Sequence, residues 1–341
     1  MKTRKILAIL LVLAMAFSLV ACGTPAAKKA GGKMVVYSPN GDNELENILD
    51  YFGEKYGIEI ELQSMGSGEC YAKLDSEKSN PQCDVLFGGI NYGFWLQHSD
   101  LFEKYVAKGD EKLEEAFRNP NGYITLYTTN GSCLLVNEEL EAQMGLDIQG
   151  YADLLDPQLK GLIGTADPTA SSSAYAQLTN ILLAMGGYED EGAWNYADSL
   201  IDLIDGKLAS GSSAVYKGVY NGEYVVGLTY EMPCVDMLED GAENIRIVYP
   251  EEGAVWLAAG SAVVAGAPNM DNAKLFMDFL ISDECQEIIA DTMFIRPASG
   301  KDNASEFMPS LKDINVIYED TVYTFESKQT IIDHWNEIWA K

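Results

Sequence analysis

At 341 residues, 47% of them apolar and 22% charged, the chain exceeds the ~250–300 residues at which one hydrophobic core stops growing, and a single small module and a disordered chain are both excluded. Lys and Arg number 23 against 52 Asp and Glu, a formal charge of −29 that repels a polyphosphate backbone, so nucleic acid is not expected as a partner. Only two histidines, His98 and His334, and four arginines, Arg4, Arg118, Arg246 and Arg296, are available for base catalysis or guanidinium clamps.

The chain opens with the cations Lys2, Arg4 and Lys5, followed by fifteen uncharged residues, Ile6 to Val20. This pattern predicts a signal peptide over 1–21, and the apolar run is shorter than the ~20 residues a spanning helix needs. Its ending, Leu19-Val20-Ala21-Cys22-Gly23, resembles the lipobox of bacterial lipoproteins, in which the cysteine is acylated and becomes the first residue. The resemblance implies an extracytoplasmic protein held to the cell membrane through a lipid on Cys22. Cleavage removes three cations and no anion, so −29 becomes −32. Residues 22–32, rich in Gly, Ala and Lys, read as a tether. The other cysteines, Cys70, Cys83, Cys133, Cys234 and Cys285, have no metal-type spacing and read as buried thiols, with at most one or two pairs.

From Lys33 the apolar pattern alternates between strand and helix periods. Strands are expected at Met34–Tyr37, Ile58–Gln63 and Cys83–Phe87, with helices at Glu44–Tyr56 and after Ser67-Gly68-Glu69. Such alternation predicts an α/β domain with a largely parallel sheet, whose ligands bind beyond the carboxyl ends of the strands. The polar loops Ser38–Asn40, Ser64–Glu69 and Gly88–Tyr92 fall at that edge. Tyr123–Asn137 is a long β-rich stretch that reads as a crossover into a second domain. There, helices are expected at Ala174–Met185, Ala193–Ile204 and Ala214–Asn221, and strands at Tyr224–Leu228 and Ile245–Tyr249. Ala254–Val264 reads as the return crossover, followed by helices at Ala273–Leu280 and Glu284–Ala290. The expected division is a first lobe of 33–130 plus 255–341 and an inserted second lobe of 131–254. Trp194, Trp335 and Trp339 read as packing residues.

This arrangement behind Cys22 resembles the type II solute-binding lipoproteins of bacterial ABC importers, across essentially the whole mature chain. More narrowly it resembles the branch holding ferric-iron-, hexose-phosphate- and aminoethylphosphonate-binding proteins. The residues carrying the likeness are Asp167-Pro168-Thr169-Ala170-Ser171-Ser172-Ser173-Ala174-Tyr175, Leu183-Ala184-Met185-Gly186-Gly187, Ser210 to Lys217, and Val225 to Glu231. The resemblance implies a two-lobed periplasmic-binding-protein-like α/β fold, each lobe a mostly parallel sheet flanked by helices, and a permease partner that receives the solute. It implies a monomer and no cofactor. Iron-binding members use adjacent tyrosines after the strand corresponding to Tyr224–Leu228; here that position reads Thr229-Tyr230-Glu231, which lowers the hard anionic donor count a ferric ion favours.

The loops point to an anion independently of the resemblance. Ser171, Ser172 and Ser173 precede one expected helix and Ser212-Ser213 another, so each places free N–H groups and hydroxyls at a positive helix end. Ser38 and Ser67-Gly68 are expected to open helices in the same way. The alternative role for each serine is an ordinary N-cap. Tyr230 and Glu231, at a strand end, can donate to and accept from a ligand; Gly89, Asn91 and Thr169 lie in loops at the same edges. The expected ligand is a small phosphorylated solute, a hexose phosphate or organophosphonate, with ferric iron the second candidate and a hydrolase acting on a similar solute the third. No nucleophile elbow, S-x-x-K pair or H-E-x-x-H helix supports the last. Replacing Cys22 with Ser is expected to release the protein from the membrane fraction with folding and ligand binding intact; retention after high-salt washing overturns the lipid anchor.

Overall fold

The computed structural model describes residues 31–341, so the signal segment, Cys22 and most of the tether lie outside the described residues. Gly31 N–H donates to Tyr56 O, and Glu59 N–H donates to Gly32 O, so the last two residues of the expected tether are held against the fold. Strand β1 (Lys33–Ser38) is buried almost throughout because it runs parallel between β2 (Glu59–Ser64) and β3 (Val85–Ile90). The connecting helical segment α1 is continuous through Asp42–Glu44, a π-helical stretch Leu45–Asp50, and Tyr51–Tyr56. It turns Leu45, Ile48, Leu49 and Phe52 to the core and stops at Gly57, whose φ of 66° closes the helix. Helices α2 (Ser67–Glu77) and α3 (Tyr92–Gln97) follow β2 and β3.

Strand β4 (Thr125–Asn137) carries the chain from one half of the sheet to the other. Its residues Thr125 to Gly131 pair antiparallel with β8 (Ala254–Val263). Its residues Ser132 to Asn137 pair with β6 (Val226–Tyr230) and β7 (Ile245–Val248). The β8 strand returns to pair antiparallel with β3, giving the order β2-β1-β3-β8-β4-β6-β5, with β5 at Ile163–Gly164. Parallel pairs therefore occupy both ends of the sheet, and the two long strands make its middle antiparallel. Short strands β9 (Arg296–Pro297) and β10 (Val316–Ile317) add to β4 and β8.

Each half has its own core. In the first, Val36, Val85 and Phe87 pack with Phe52 of α1 and with Phe276 and Phe279 of α9 (Met270–Leu280), which follows α4 (Glu138–Met144), α5 (Ser172–Ala184), α6 (Glu191–Ile204), α7 (Ser212–Tyr220) and α8 (Glu231–Glu239) of the second half; α10 (Asp283–Thr292) completes it with Cys285 and Ile289. In the second, Leu134, Val136, Val226 and Leu228 pack with Leu178 and Ile181 of α5 (Ser172–Ala184) and Trp194 and Leu200 of α6 (Glu191–Ile204). Helices α4 (Glu138–Met144), α7 (Ser212–Tyr220) and α8 (Glu231–Glu239) also belong to this half.

The chain ends in α11 (Thr321–Glu326) and α12 (Lys328–Trp339). Ile331, Trp335 and Ile338 of α12 are buried in the second core, which corrects the expectation that 255–341 stays with the first half. The three tryptophans do pack: Trp194 also stacks on His334 at 3.8 Å, and Trp335 stacks on Trp339 at 5.6 Å. His98 stacks on Tyr71 at 5.0 Å. All five cysteines among the described residues are free and buried.

The halves are tied where β4 changes partners. Gly131 lies under the Trp256 ring so closely that a Cβ there would be 2.7 Å from Cε3. Over that ring, at 4.9 Å, sits the guanidinium of Arg296 from β9. Arg296 Nη2 donates to Glu231 Oε1 at 2.6 Å and its Nε donates to Oε2 at 2.9 Å; both side chains are 1% exposed. Tyr249 donates its hydroxyl to the same carboxylate. Burial works against the Arg296 charge, and Glu231 more than restores it, so the pKa lies above the ordinary arginine value. Arg296→Ala is expected to cost about 3–5 kcal/mol by leaving a buried carboxylate unpaired, while Glu231→Leu with Arg296→Met recovers most of the loss. Urea denaturation of the three proteins checks this; equal stability of Arg296→Ala and wild type rules out the pair as the tie.

Candidate functional site

The carboxyl ends of β1, β2 and β3 form one edge, where the three expected polar loops meet. Ser38 does not open a helix: it is buried, its hydroxyl donates to Phe87 O at 2.7 Å and accepts from Asn40 N–H at 3.1 Å, and Gly41 precedes α1 instead. Ser67 is the first residue of α2 after Gly66, half-buried, and its Oγ lies 3.0 Å from where a Cβ on Gly89 would stand. Gly68 beside it is exposed. Asn91 is exposed and caps α3, its Oδ1 accepting from Phe94 N–H at 3.0 Å. Asn40, within a loop expected here but not singled out, and Tyr127, missed in the sequence, complete this edge: Asn40 Nδ2 donates to the hydroxyl of buried Tyr127 at 2.9 Å. Tyr127 sits within a strand-like run whose facing the sequence leaves undefined, which is why it gave no signal.

The second half presents a matching edge. Ala166 and Ala209 form a parallel bridge, which brings the loops leading into α5 and α7 side by side. Ser171 is an ordinary N-cap, accepting from Ala174 N–H at 3.3 Å. Ser172 is exposed and Ser173 half-buried in the first turn of α5, whereas exposed Thr169 uses its N–H in a turn to Asp167 Oδ1 at 2.8 Å. At α7 the N-cap is Gly211, which supplies no side-chain cap, so the first N–H groups of the helix are left to other acceptors. Ser212 and Ser213 are its first two residues, half-buried and exposed. The half-buried phenol of Tyr230 stands beside the Ser212 hydroxyl; burial raises its pKa, and the Ser212 hydrogen bond offsets part of that rise.

Glu231 departs from its expected role. It is buried as the first residue of α8, and its carboxylate is taken by Arg296 and Tyr249, so it holds the halves together and does not face a ligand. The unpredicted helix α8 also places Met232 N–H on Asn130 Oδ1 at 3.3 Å and packs Met232 against the first core, so the head of α8 reaches the first half. Burial, then its own backbone hydrogen bond and the nearby Asp236 charge, set the pKa of Glu44 at the head of α1, with a net rise. No group of three His, Cys, Asp or Glu placed to hold a metal occurs among the described residues. No helix among them is long and apolar enough to cross a membrane.

Residues 83–324 match the family model of the bacterial extracellular solute-binding proteins. The chain belongs to that family. An uncharacterized protein of Haemophilus influenzae is 30% identical over 95% of this chain and 96% of its own length. A probable ABC transporter periplasmic-binding protein of Sinorhizobium fredii is 26% identical over 78% of this chain and 75% of its own. Among solved structures, the periplasmic binding protein AfuA of Actinobacillus pleuropneumoniae, with fructose-6-phosphate bound, superposes with a TM-score of 0.70 at 25% identity, covering 91% of this chain and 99% of that one. The two halves are thus the lobes of a periplasmic-binding-protein-like fold, and this extracytoplasmic solute-binding protein works with an ABC transporter on a small-molecule ligand.

The two serines at the head of α5 differ in their contacts: Ser171 caps the helix, and Ser172 is exposed in its first turn. Ser171→Ala is expected to lower stability by about 0.5–2 kcal/mol through loss of the cap, and Ser172→Ala to leave the unfolding midpoint unchanged. Parallel thermal denaturation checks this: no loss in Ser171→Ala overturns the cap, and a loss in Ser172→Ala equal to that of Ser171→Ala overturns the assignment of Ser172 as free of a structural role.

Proposed function

We propose that this binding protein takes a small phosphorylated solute, a hexose phosphate or organophosphonate, between its two lobes and hands it to a membrane permease, anchored by lipid on Cys22. The observation that carries the reading is the head of α7, where Gly211 leaves backbone N–H groups without a side-chain cap beside the hydroxyls of Ser212 and Tyr230. A helix N-terminus of this kind holds phosphate through hydrogen bonds and the helix dipole, with no formal cation required. Ser172 and Ser173 at the adjoining helix head, with Ser67, Gly68 and Gly89 across the cleft, add donors of the same kind; Thr169, Ser213 and Asn91 line the loops around them. The fructose-6-phosphate held by the AfuA structure is chemistry of this class.

Ferric iron remains the second reading, because Tyr230 occupies the strand end where the resembling iron binders carry tyrosines. The raised pKa of Tyr230 favours the protonated phenol, a hydrogen-bond donor, over the phenolate that a ferric ion requires. The protein acts as a carrier and leaves its solute chemically unchanged. Calorimetry with fructose 6-phosphate and with ferric citrate tests the choice. Ser212→Ala or Ser172→Ala is expected to weaken sugar-phosphate binding by about 1–3 kcal/mol. A coloured ferric complex abolished by Tyr230→Phe, with no response to the sugar phosphate, would replace the first reading with the second.

A further inference from the structure

The C-terminal strap around α11 touches both lobes, and its two faces do so differently. On the second-lobe side it is held by polar contacts: Tyr175 donates its hydroxyl to Thr324 O at 2.5 Å, Thr179 Oγ1 donates to Glu319 Oε1 at 3.1 Å, and Asp320 N–H donates to the Tyr188 hydroxyl at 3.2 Å. Tyr323 stacks on Tyr188 at 5.0 Å and donates to Glu189 Oε1 at 2.9 Å. With α12 buried in the second core immediately afterwards, the strap is anchored to that lobe.

On its other side the strap meets α3. That helix belongs to the first lobe: Phe94 stacks on Tyr71 at 4.7 Å, Trp95 packs on Tyr123 at 5.2 Å, and Tyr71 donates to Gly89 O at 3.2 Å. The Phe325 ring fills the place of a side chain on Gly93, whose Cβ would stand 2.5 Å from Cε2 and 2.8 Å from Cγ. Nonbonded carbons do not approach so closely, so glycine alone admits the ring without a shift. This contact with α3 is apolar, and just before α11 Tyr318 also reaches the first lobe, donating its hydroxyl to Glu114 Oε2 at 3.3 Å and packing on Phe117 at 5.9 Å, whereas the strap's attachment to its own lobe is a set of hydrogen bonds and a ring stack.

We propose that the strap is a clasp: Phe325 seats against Gly93 to hold the lobes together on the α3 side of the cleft, and its release permits them to part. The clasp acts whichever solute is bound, so it rests on the two-lobed architecture and not on the phosphate reading. Small-angle scattering and hydrogen exchange on the ligand-free protein test it. Phe325→Ala is expected to raise the radius of gyration and to speed exchange of the α3 amides by about tenfold or more, with amides of β6 and α6 unchanged. Gly93→Ala gives a sign test, because this replacement inside a helix ordinarily stabilises; here it is expected to loosen α3 and widen the particle. The double variant Gly93→Ala, Phe325→Ala is expected to be no looser than Phe325→Ala alone, since the alanine then meets no ring. Unchanged scattering and exchange in the single variants, or additive effects in the double, would overturn the clasp. So would loss of cooperative unfolding in both Phe325→Ala and the milder Phe325→Leu, which would make the ring a core residue.

Discussion

The buried pair of Glu231 and Arg296 is the constraint on which the arrangement of the lobes depends. Each charge comes from a different lobe, and each loses its water on burial, so neither tolerates separation without a replacement partner. Nε and Nη2 of the guanidinium and the Tyr249 hydroxyl all converge on one carboxylate, while Trp256 supplies a π face that the bare Gly131 makes room for. This fixes the point about which β4 and β8 carry the lobes.

The electrostatics of the cleft follow from the same economy of cations. A chain of net charge −29 with four arginines, one of them committed to Glu231, has little guanidinium to offer a ligand. Donors of another kind are plentiful, because both halves direct strand ends and helix heads at each other. Partial positive charge from helix N-termini is available in an acidic protein without raising its net charge, and its short range keeps it local to the cleft. The rise in the Tyr230 pKa through burial belongs to the same picture, since a protonated phenol adds a donor where a phenolate would add one more anion.

The three passages between the lobes differ in physical character. Strands β4 and β8 are hydrogen-bonded to each other over Thr125 to Gly131 and form a stiff ribbon. The strap is a single chain with a ring stack and hydrogen bonds to the second lobe, and with the Phe325 ring and the Tyr318 side chain against the first. Stiffness at the ribbon and a detachable contact at the strap together describe a hinge with a fastening, which is the mechanical requirement of a protein that must hold a solute and give it up.

Local chemistry in the chain was enough to show the alternating elements, the two crossover strands, the buried thiols and the serine-headed helices, because hydrophobic period and capping residues act over a few positions. The N-cap of Ser171 is of this kind, whereas at α7 the serines expected to precede the helix lie inside it and Gly211 takes the N-cap. Other features depended on residues far apart in the chain. Glu231 stands 65 positions from Arg296, and a carboxylate at a strand end looks the same in sequence whether it faces solvent or a buried guanidinium. Ser38 likewise looks like a helix opener until Phe87, 49 positions on, takes its hydroxyl. The side of the molecule on which α12 docks was equally invisible, since Ile331, Trp335 and Ile338 mark an apolar face but not the core that will receive it. Periodicity specifies that a face must be buried; only the folded chain decides against what.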